Sequence, residues 1–297
     1  MSRHRVLLAV DRLDWAFANI ARQLVVHLAE EFDFKIMPYR AATSGEYDVV
    51  VAFWWASACL LRGNTKSRRL VLCLYDGYSW TSPASRKQLD LAVKRSDILV
   101  AGNEQIAVDA NLPLPTWVAE DGVDTTRFSP RPLPATVRFG WTGNSGATRA
   151  TTGGADIKGL SIIREAAALA SAALVTHDIA EKPPLLHEAM PSWYAAISAY
   201  ICASGIEGTP NPVLEAMACG RPVITTRVGL TRRIVAHGVN GLFVDRTAES
   251  IAAAMNTIAT RSDLEKMGQA ARDAAEAHDW RSKIHTWRSC LRAAVRM

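Results

Sequence analysis

No hydrophobic run in this sequence is long enough to cross a bilayer. The longest, Val49 to Leu61, falls short of the ~20 residues that a spanning helix needs and carries a Trp-Trp pair. There is no CxxC pair. The five cysteines (Cys59, Cys73, Cys202, Cys219, Cys290) are scattered and sit mostly in apolar runs, where a free thiol behaves as a small hydrophobe, so the reading is a reducing compartment and no zinc. No GxGxxG follows either of the strands that open an α/β pattern, which disfavours an NAD-dependent dehydrogenase. No Asp-x-Asp triplet occurs anywhere. Nor is a leader expected: Met1-Ser2-Arg3-His4-Arg5 passes straight into Val6-Leu7-Leu8-Ala9-Val10, too short for a signal core and without a cleavage site.

What is present suits two globular domains. The chain has 297 residues, 49% hydrophobic and 21% charged, enough apolar mass to bury sizeable cores without metals or staples. Short β-branched runs alternate with amphipathic stretches: Arg5 to Val10 then Trp15 to Leu28; Asp48 to Phe53; Leu70 to Leu74 then Ser85 to Val93; Ile98 to Ala101 then Gln105 to Ala110. Strand then helix, repeated, predicts a parallel sheet with crossover helices. Arg131-Pro132-Leu133-Pro134 reads as a linker. The pattern then restarts, with strands at Val137 to Thr142, Ala173 to Thr176, Ala199 to Cys202, Pro222 to Thr225 and Leu242 to Val244, and the chain after Thr247 is almost wholly helical. Each half is therefore expected to be a Rossmann-like α/β unit that binds ligands beyond the carboxyl ends of its strands.

The chemistry concentrates in Ser204-Gly205-Ile206-Glu207-Gly208-Thr209-Pro210-Asn211-Pro212-Val213-Leu214-Glu215-Ala216-Met217-Ala218-Cys219-Gly220-Arg221-Pro222-Val223-Ile224. It reads as strand, loop, helix, strand. Asn211 suits an N-cap, Pro212 the first helical position, and Gly220 a left-handed stop, giving a helix from Pro212 to Cys219. Its start favours a diphosphate, with the N–H groups of Val213 and Leu214 as donors. Glu207 lies on the loop and Glu215 in the first turn. A capping box would need an acid at position 214, where Leu214 stands, so Glu215 is not explained as a cap.

These residues resemble the Glu-x7-Glu signature of the retaining glycosyltransferases of family 4, here Glu207 and Glu215, and the continuation EAMACGRPVI matches as well. Three further stretches are similar: Glu120 to Pro130, with Asp121 where the family has Asn; Met190-Pro191-Ser192-Trp193-Tyr194; and Gly238-Val239-Asn240-Gly241-Leu242. The resemblance is dense over residues 118 to 250. It implies a GT-B fold of two Rossmann-like domains facing across a cleft, with an N-terminal acceptor domain (1–131), a donor domain (132–279) and a terminal helix (280–297) returning to the first. It implies that Glu215 accepts the ribose hydroxyls and that Glu207 faces the sugar near C3 and C4, since a carboxylate accepts paired hydrogen bonds from a vicinal diol. Lys158 matches the family's Lys-Gly lysine, a cation for the departing diphosphate. The implied catalytic residues are Glu207 and Lys158; the implied donor-binding residues are Gly143, Asn144, Arg149, Lys158, Thr209, Asn211, Val213, Leu214 and Glu215. The family places an arginine after the Gly143 equivalent, where Asn144 stands here. Arg149, inside the glycine-rich 145–155 loop, is either a second cation or part of a lid.

The N-terminal half departs from the family: it has Asp11-Arg12-Leu13-Asp14-Trp15 for a glycine-rich loop and no histidine after the fourth strand. Trp15 and Asp76 are the acceptor-side candidates, Asp76 orienting an acceptor hydroxyl or capping the next turn. His177, His187, His237, His278 and His285 are isolated and read as structural. The formal charge of +5 and pI near 9.0 favour an anionic partner only weakly. Arg62, Lys66, Arg68 and Arg69, then Arg86, Lys87, Lys94 and Arg95, then Arg281, Lys283, Arg288, Arg292 and Arg296 form either a solvated face or a surface for an anionic acceptor, a membrane-associated glycan before a nucleic acid.

The implied function is transfer of a sugar, with retention, from a nucleoside-diphosphate sugar to an acceptor hydroxyl on a cell-envelope or lipid-linked glycan. No cofactor and no metal are expected, and the location is cytoplasmic, peripheral to a membrane at most. The alternatives are a glycosyltransferase of modified nucleic-acid bases, a sugar-nucleotide 2-epimerase, and a nucleotide-sugar-binding module without catalysis.

Overall fold

The computed structural model describes residues 3–14, 16–41, 45–58, 66–77, 79–146 and 156–297. In chain order the elements are β1 (His4–Val10), α1 (Ala16–Leu28), β2 (Phe32–Pro38), β3 (Glu46–Ala52), β4 (Lys66–Leu74), α2 (Pro83–Arg95), β5 (Ile98–Ala101), α3 (Glu104–Asp109), β6 (Trp117–Val118), β7 (Arg138–Gly143), α4 (Leu160–Leu169), β8 (Ala173–Asp178), α5 (Met190–Ala195), β9 (Ala199–Cys202), α6 (Asn211–Ala218), β10 (Val223–Thr225), α7 (Thr231–Ile234), β11 (Gly241–Phe243), α8 (Ala248–Ala259), α9 (Leu264–Glu276) and α10 (Trp280–Arg296). Helix starts carry the caps expected of them: Ser82 accepts from Ser85 N before α2, Asn103 from Ile106 N before α3, and Thr247 from Ser250 N before α8.

The chain divides into two units, Met1–Asp121 with Trp280–Met297, and Gly122–Asp279. The first holds a parallel sheet in the order β2-β1-β3-β4-β5-β6. Because alternate strand residues face opposite sides, Val6, Leu8 and Val10 pack with α1 and α10, whereas Leu7 and Ala9 pack with Leu89 and Ala92 of α2. Both faces are covered, which is why these strands read as continuous apolar runs. The second unit holds a parallel sheet in the order β11-β10-β9-β7-β8. Phe139, Ala199, Ile201 and Ile224 face α4 and α8; Tyr200, Cys202 and Val223 face Val213, Met217 and Ala271. Two α/β units with parallel sheets are what the alternating pattern predicts.

The sequence pattern misses two strands. β2 lies on the sheet edge, paired only with β1, so half of it faces solvent and Asp33 and Lys35 interrupt its apolar signal. β6 has two residues. The unit boundary also falls ten residues before the Pro-rich linker, and the cause is packing. Val123 N donates to His278 O, Thr125 Oγ1 donates to Asp279 Oδ2 at 2.5 Å, and Phe128 is buried in the second unit's core. Arg272 of α9 then gathers the carbonyls of Thr125, Phe128 and Ala218 at 3.1, 2.6 and 2.8 Å. Residues 122–131 therefore fold with the second unit.

Helix α10 belongs to the first unit through a stripe of Trp280, Ile284, Trp287, Leu291 and Ala294. Three of its five cations pair with acids of the same unit. Arg288 Nε and Arg292 Nε both donate to Glu31 at 2.8 Å, and Lys283 reaches Glu120 at 3.2 Å. Lys66, Arg68 and Arg69 likewise sit within 3.6, 3.8 and 3.9 Å of Glu46, Asp48 and Asp97. Arg62 lies outside the described residues. No helix among those described is long and apolar enough to cross a membrane.

Arg221, from the RPVI segment, is buried without an acidic partner among the described residues and satisfies itself on carbonyls: Tyr194 O at 3.0 Å, Pro132 O at 3.0 Å and Ala195 O at 3.5 Å. Burial lowers its pKa from the ordinary arginine value. Replacing it removes the fork and leaves those carbonyls unsatisfied. Arg221→Ala is expected to destabilise the second unit by about 3 kcal/mol, with Arg221→Lys recovering little because an ammonium cannot span three carbonyls. Calorimetric melting checks this: a Tm unchanged in both variants contradicts it.

Candidate functional site

In the second sheet the strand order reverses between β7 and β9, since β8 lies to one side of β7 and β9, β10 and β11 to the other. That reversal separates the connections leaving the carboxyl ends of β7 and β9 and makes the crevice where ligands of such sheets bind. The predicted donor residues arrive there from those two connections.

The β7 side is organised by two carboxylates. Asp178, buried at the end of β8, accepts from Ser145 N (3.1 Å), Ser145 Oγ (2.6 Å) and Ala180 N (3.0 Å), fixing the turn after Gly143. Asn144 Oδ1 accepts from Gly146 N at 2.9 Å, so the residue standing where an arginine was expected closes a turn. Arg149 and residues 147–155 lie outside the described residues. Asp156 then caps α4, accepting from Gly159 N, Ser161 N and Ser161 Oγ at 2.8, 2.9 and 2.6 Å. Lys158 sits in the turn before α4. Gly159 adopts φ +73, outside helical space, and a Cβ there would lie 2.3 Å from Ala203 O.

The β9 side carries Glu207. Lys158 Nζ lies 2.6 Å from Glu207 Oε1, the two side chains 23% and 12% exposed, and Ser204 Oγ donates to the same oxygen at 2.7 Å. The loops are tied to each other as well. Gly205 N donates to Ile157 O at 2.8 Å, and Arg246 donates to both Ala203 O (2.9 Å) and Asp156 O. Behind Glu207, Gly229 approaches so closely that a Cβ would fall 2.0 Å from Gly208 O.

Helix α6 begins one residue earlier than the capping pattern predicts. Pro210 is the capping position and Asn211 the first helical residue, so Asn211 is not the N-cap and Glu215 is the fifth residue, one turn in. The N–H groups of Val213 and Leu214 both donate to Pro210 O, at 2.8 and 3.4 Å, and an anion at this helix start has to share them. The helix ends as predicted, with Gly220 at φ +71. Thr209 Oγ1 and Asn211 Oδ1 are buried without a hydrogen-bond partner among the described residues.

Glu215 is gripped from both oxygens. Tyr194 donates its phenol to Oε2 at 2.8 Å, and His187 Nε2 lies 3.2 Å from Oε1. Burial, together with the Glu215 charge, pushes the Tyr194 phenol far above its ordinary pKa, so it is a permanent donor. His187 Nδ1 is in turn 2.9 Å from Arg127 NH1. His187 reads as structural from sequence, and Arg127 and Tyr194 have no role there beyond their family-like stretches, because their meeting at Glu215 depends on how the β8–α5 connection packs. His177 and His237 are structural, accepting from the backbone N–H of Leu185 and Phe243.

In the first unit Asp76 takes the capping role: it accepts from Ser79 N at 2.7 Å and Ser79 Oγ at 2.8 Å. Trp15 lies outside the described residues. At the end of β1, where this sheet's order reverses, burial raises the Asp11 carboxyl above its usual range despite the Arg12 N–H at 2.8 Å. Among the described residues no cluster of three or more His, Cys, Asp or Glu side chains is arranged to hold a metal ion.

Residues 158–261 match the glycosyl transferases group 1, a segment that opens at Lys158 and contains both glutamates. Three curated proteins named D-inositol 3-phosphate glycosyltransferase are similar: those of Pseudarthrobacter chlorophenolicus (35% identical, 34% of this chain and 25% of the relative), Kribbella flavida (33%, covering 38% and 27%) and Frankia alni (36%, covering 35% and 25%). The alignments thus span only about a quarter of those relatives' lengths. Solved structures agree over nearly the whole chain. Anabaena HepE in complex with UDP-glucose superposes with a TM-score of 0.71 at 16% identity, covering 98% of this chain and 100% of that one. Sucrose-phosphate synthase of Thermosynechococcus elongatus gives 0.72 at 13%, covering 98% and 99%. The fold is that of the GT-B glycosyltransferases, two parallel-sheet α/β domains.

Asp178 and Asp156 yield a pH prediction. Burial alone would raise both carboxyls, but their hydrogen bonds win and hold them below the ordinary aspartate value. A group with a depressed native pKa contributes stability that is fully present above its unfolded pKa and is lost as pH falls through the native one. The stability gap between wild type and Asp178→Asn, measured by urea unfolding, should therefore be widest near neutrality and close as pH drops below the ordinary carboxylate range. A gap independent of pH contradicts this.

Proposed function

We propose that this chain is a glycosyltransferase that takes its sugar from a nucleoside diphosphate, with the donor held by the second unit. The observation that carries the reading is the pair of carboxylates eight positions apart at the strand-order reversal, Glu207 against Lys158 and Glu215 against Tyr194 and His187. The match to group 1 glycosyl transferases over residues 158–261 supports it. UDP, bound in the Anabaena HepE structures, is the first nucleotide to try.

Each residue has a task. Glu215 receives the ribose hydroxyls on the lone pairs that Tyr194 and His187 leave open. Glu207 receives sugar hydroxyls, with Thr209 Oγ1 and Asn211 Oδ1, buried beside it in sequence, supplying further polar contacts. Lys158 stabilises charge on the departing diphosphate, so no metal is required for that task. The bond from the sugar's anomeric carbon to phosphate oxygen breaks, a bond to the acceptor oxygen forms on the same face, and the acceptor's proton passes to the phosphate oxygen. Retention follows from that single-face path, and the protein's share is positioning and charge stabilisation. Arg149, Gly143 and Asn144 complete the diphosphate side of the proposal.

For the acceptor, the resemblance favours a hydroxyl of a cell-envelope or lipid-linked glycan. A specific observation favours a second reading, a small phosphorylated polyol: three of the five α10 cations are engaged with Glu31 and Glu120, and the curated relatives are named for D-inositol 3-phosphate. Incubation with UDP-sugars and either acceptor class, reading UDP release and the anomeric configuration of the product, decides between them. Release of a free epimer without acceptor would instead identify a 2-epimerase.

Glu215→Ala is expected to weaken nucleoside-diphosphate binding at least tenfold, whereas Glu207→Ala leaves that affinity within about threefold and abolishes transfer. Equal losses of affinity by calorimetry would sink this division of labour. Chelation should leave turnover unchanged; inactivation by EDTA reversed by manganese would overturn the role given to Lys158.

A further inference from the structure

We propose that His187, backed by Arg127, is a positioning residue that orients the Glu215 carboxylate and thereby makes the site selective for ribo- over 2′-deoxyribonucleotides. The proposal rests on the ribose reading of Glu215 given above and adds a specificity-determining pair to it.

An arginine side chain can only donate. Arg127 NH1 lies 2.9 Å from His187 Nδ1, so Nδ1 accepts and the ring's proton sits on Nε2, directed at Glu215 Oε1 3.2 Å away. The ring plane is fixed from the side by Phe128, centroids 5.2 Å apart at 62°. Arg127 itself is held by Asp124 and Glu188, at 3.8 and 3.7 Å. On the other oxygen Tyr194 donates at 2.8 Å.

A carboxylate held by one donor cannot swing its second oxygen freely, but it is not locked. Held by a donor on each oxygen, it has one defined rotation, and each oxygen keeps a lone pair for a further donor. Two such lone pairs on one carboxylate edge match the two hydroxyls of a cis vicinal diol, which ribose has and 2′-deoxyribose lacks. Glu215 is 14% exposed and His187 21%, so the carboxylate is largely screened from water and an absent hydroxyl is poorly replaced by solvent. Removing the His187 donor frees Oε1 to rotate, and the diol then competes with its own disorder.

The test compares dissociation constants of UDP, GDP and ADP with those of their 2′-deoxy counterparts by calorimetry. The wild type is expected to prefer the ribose form of its best nucleotide by about tenfold or more. His187→Leu should reduce that preference to about threefold or less while leaving the 2′-deoxy affinity unchanged, and His187→Gln, which restores an N–H toward Glu215, should recover most of it. Arg127→Met keeps the imidazole but releases its tautomer and should fall between the two. Because Arg127 is partly exposed, it gives a variant whose Tm is expected to match wild type should His187→Leu fold poorly. Damage that spares Glu215 lowers both affinities together, and recovery in His187→Gln separates the orienting N–H from loosened packing around the carboxylate. A full preference retained in His187→Leu, or in Arg127→Met with His187→Gln no better than His187→Leu, overturns this proposal alone. No preference in the wild type, or a preference that survives Glu215→Ala, overturns the ribose reading itself.

Discussion

Everything at the candidate site depends on holding two loops together that the sheet topology drives apart. The reversal of strand order between β7 and β9 opens a crevice, and the chain closes it just enough for Lys158 to meet Glu207. It does so with backbone contacts: Gly159 pressed on Ala203 O, Gly205 N bonded to Ile157 O, and Gly229 under Gly208. Side chains alone would not suffice, since a lysine keeps several rotatable bonds whereas backbone contacts fix the loop itself. Arg246 completes the tie by bridging Ala203 O and Asp156 O.

Arginine serves here as a binder of carbonyls at least as much as a carrier of charge. Arg221, Arg246 and Arg272 each gather carbonyl oxygens at places where helix ends or loops leave acceptors unsatisfied. The planar fork suits this task, and its weak hydration lowers the cost of burial. Part of the +5 formal charge therefore reflects how the second unit is stitched together and says little about partners. The same holds for Lys283, Arg288 and Arg292 of α10, which pair with Glu31 and Glu120 from elsewhere in the first unit.

Glu207 and Glu215 differ in what surrounds them. Glu207 has a flexible cation and a hydroxyl, partners that can be exchanged when a charged ligand arrives. Glu215 has a buried phenol and a ring held by an arginine, partners that leave its geometry little freedom. One environment suits a group that adapts during a reaction, the other a group that recognises a fixed shape.

Periodicity alone determined the architecture: continuous apolar strands alternating with amphipathic helices admit few folds other than parallel sheets covered on both faces, and nine strands were legible for that reason. The segment from Ser204 to Ile224 likewise announced its strand, loop and helix, because proline, asparagine and glycine act locally on the backbone. Edge strand β2 escaped because burial on one side leaves a diluted pattern. The start of α6 was misplaced by one residue because Pro210 O, rather than the Asn211 side chain, receives the first N–H groups. Tertiary structure decided what local rules cannot encode: that residues 122–131 fold with the second unit, that α10 finds its acids on distant elements, and that His187, Arg127 and Tyr194 meet at Glu215. Those contacts join residues dozens to hundreds of positions apart, and only the packed chain brings them within hydrogen-bonding distance.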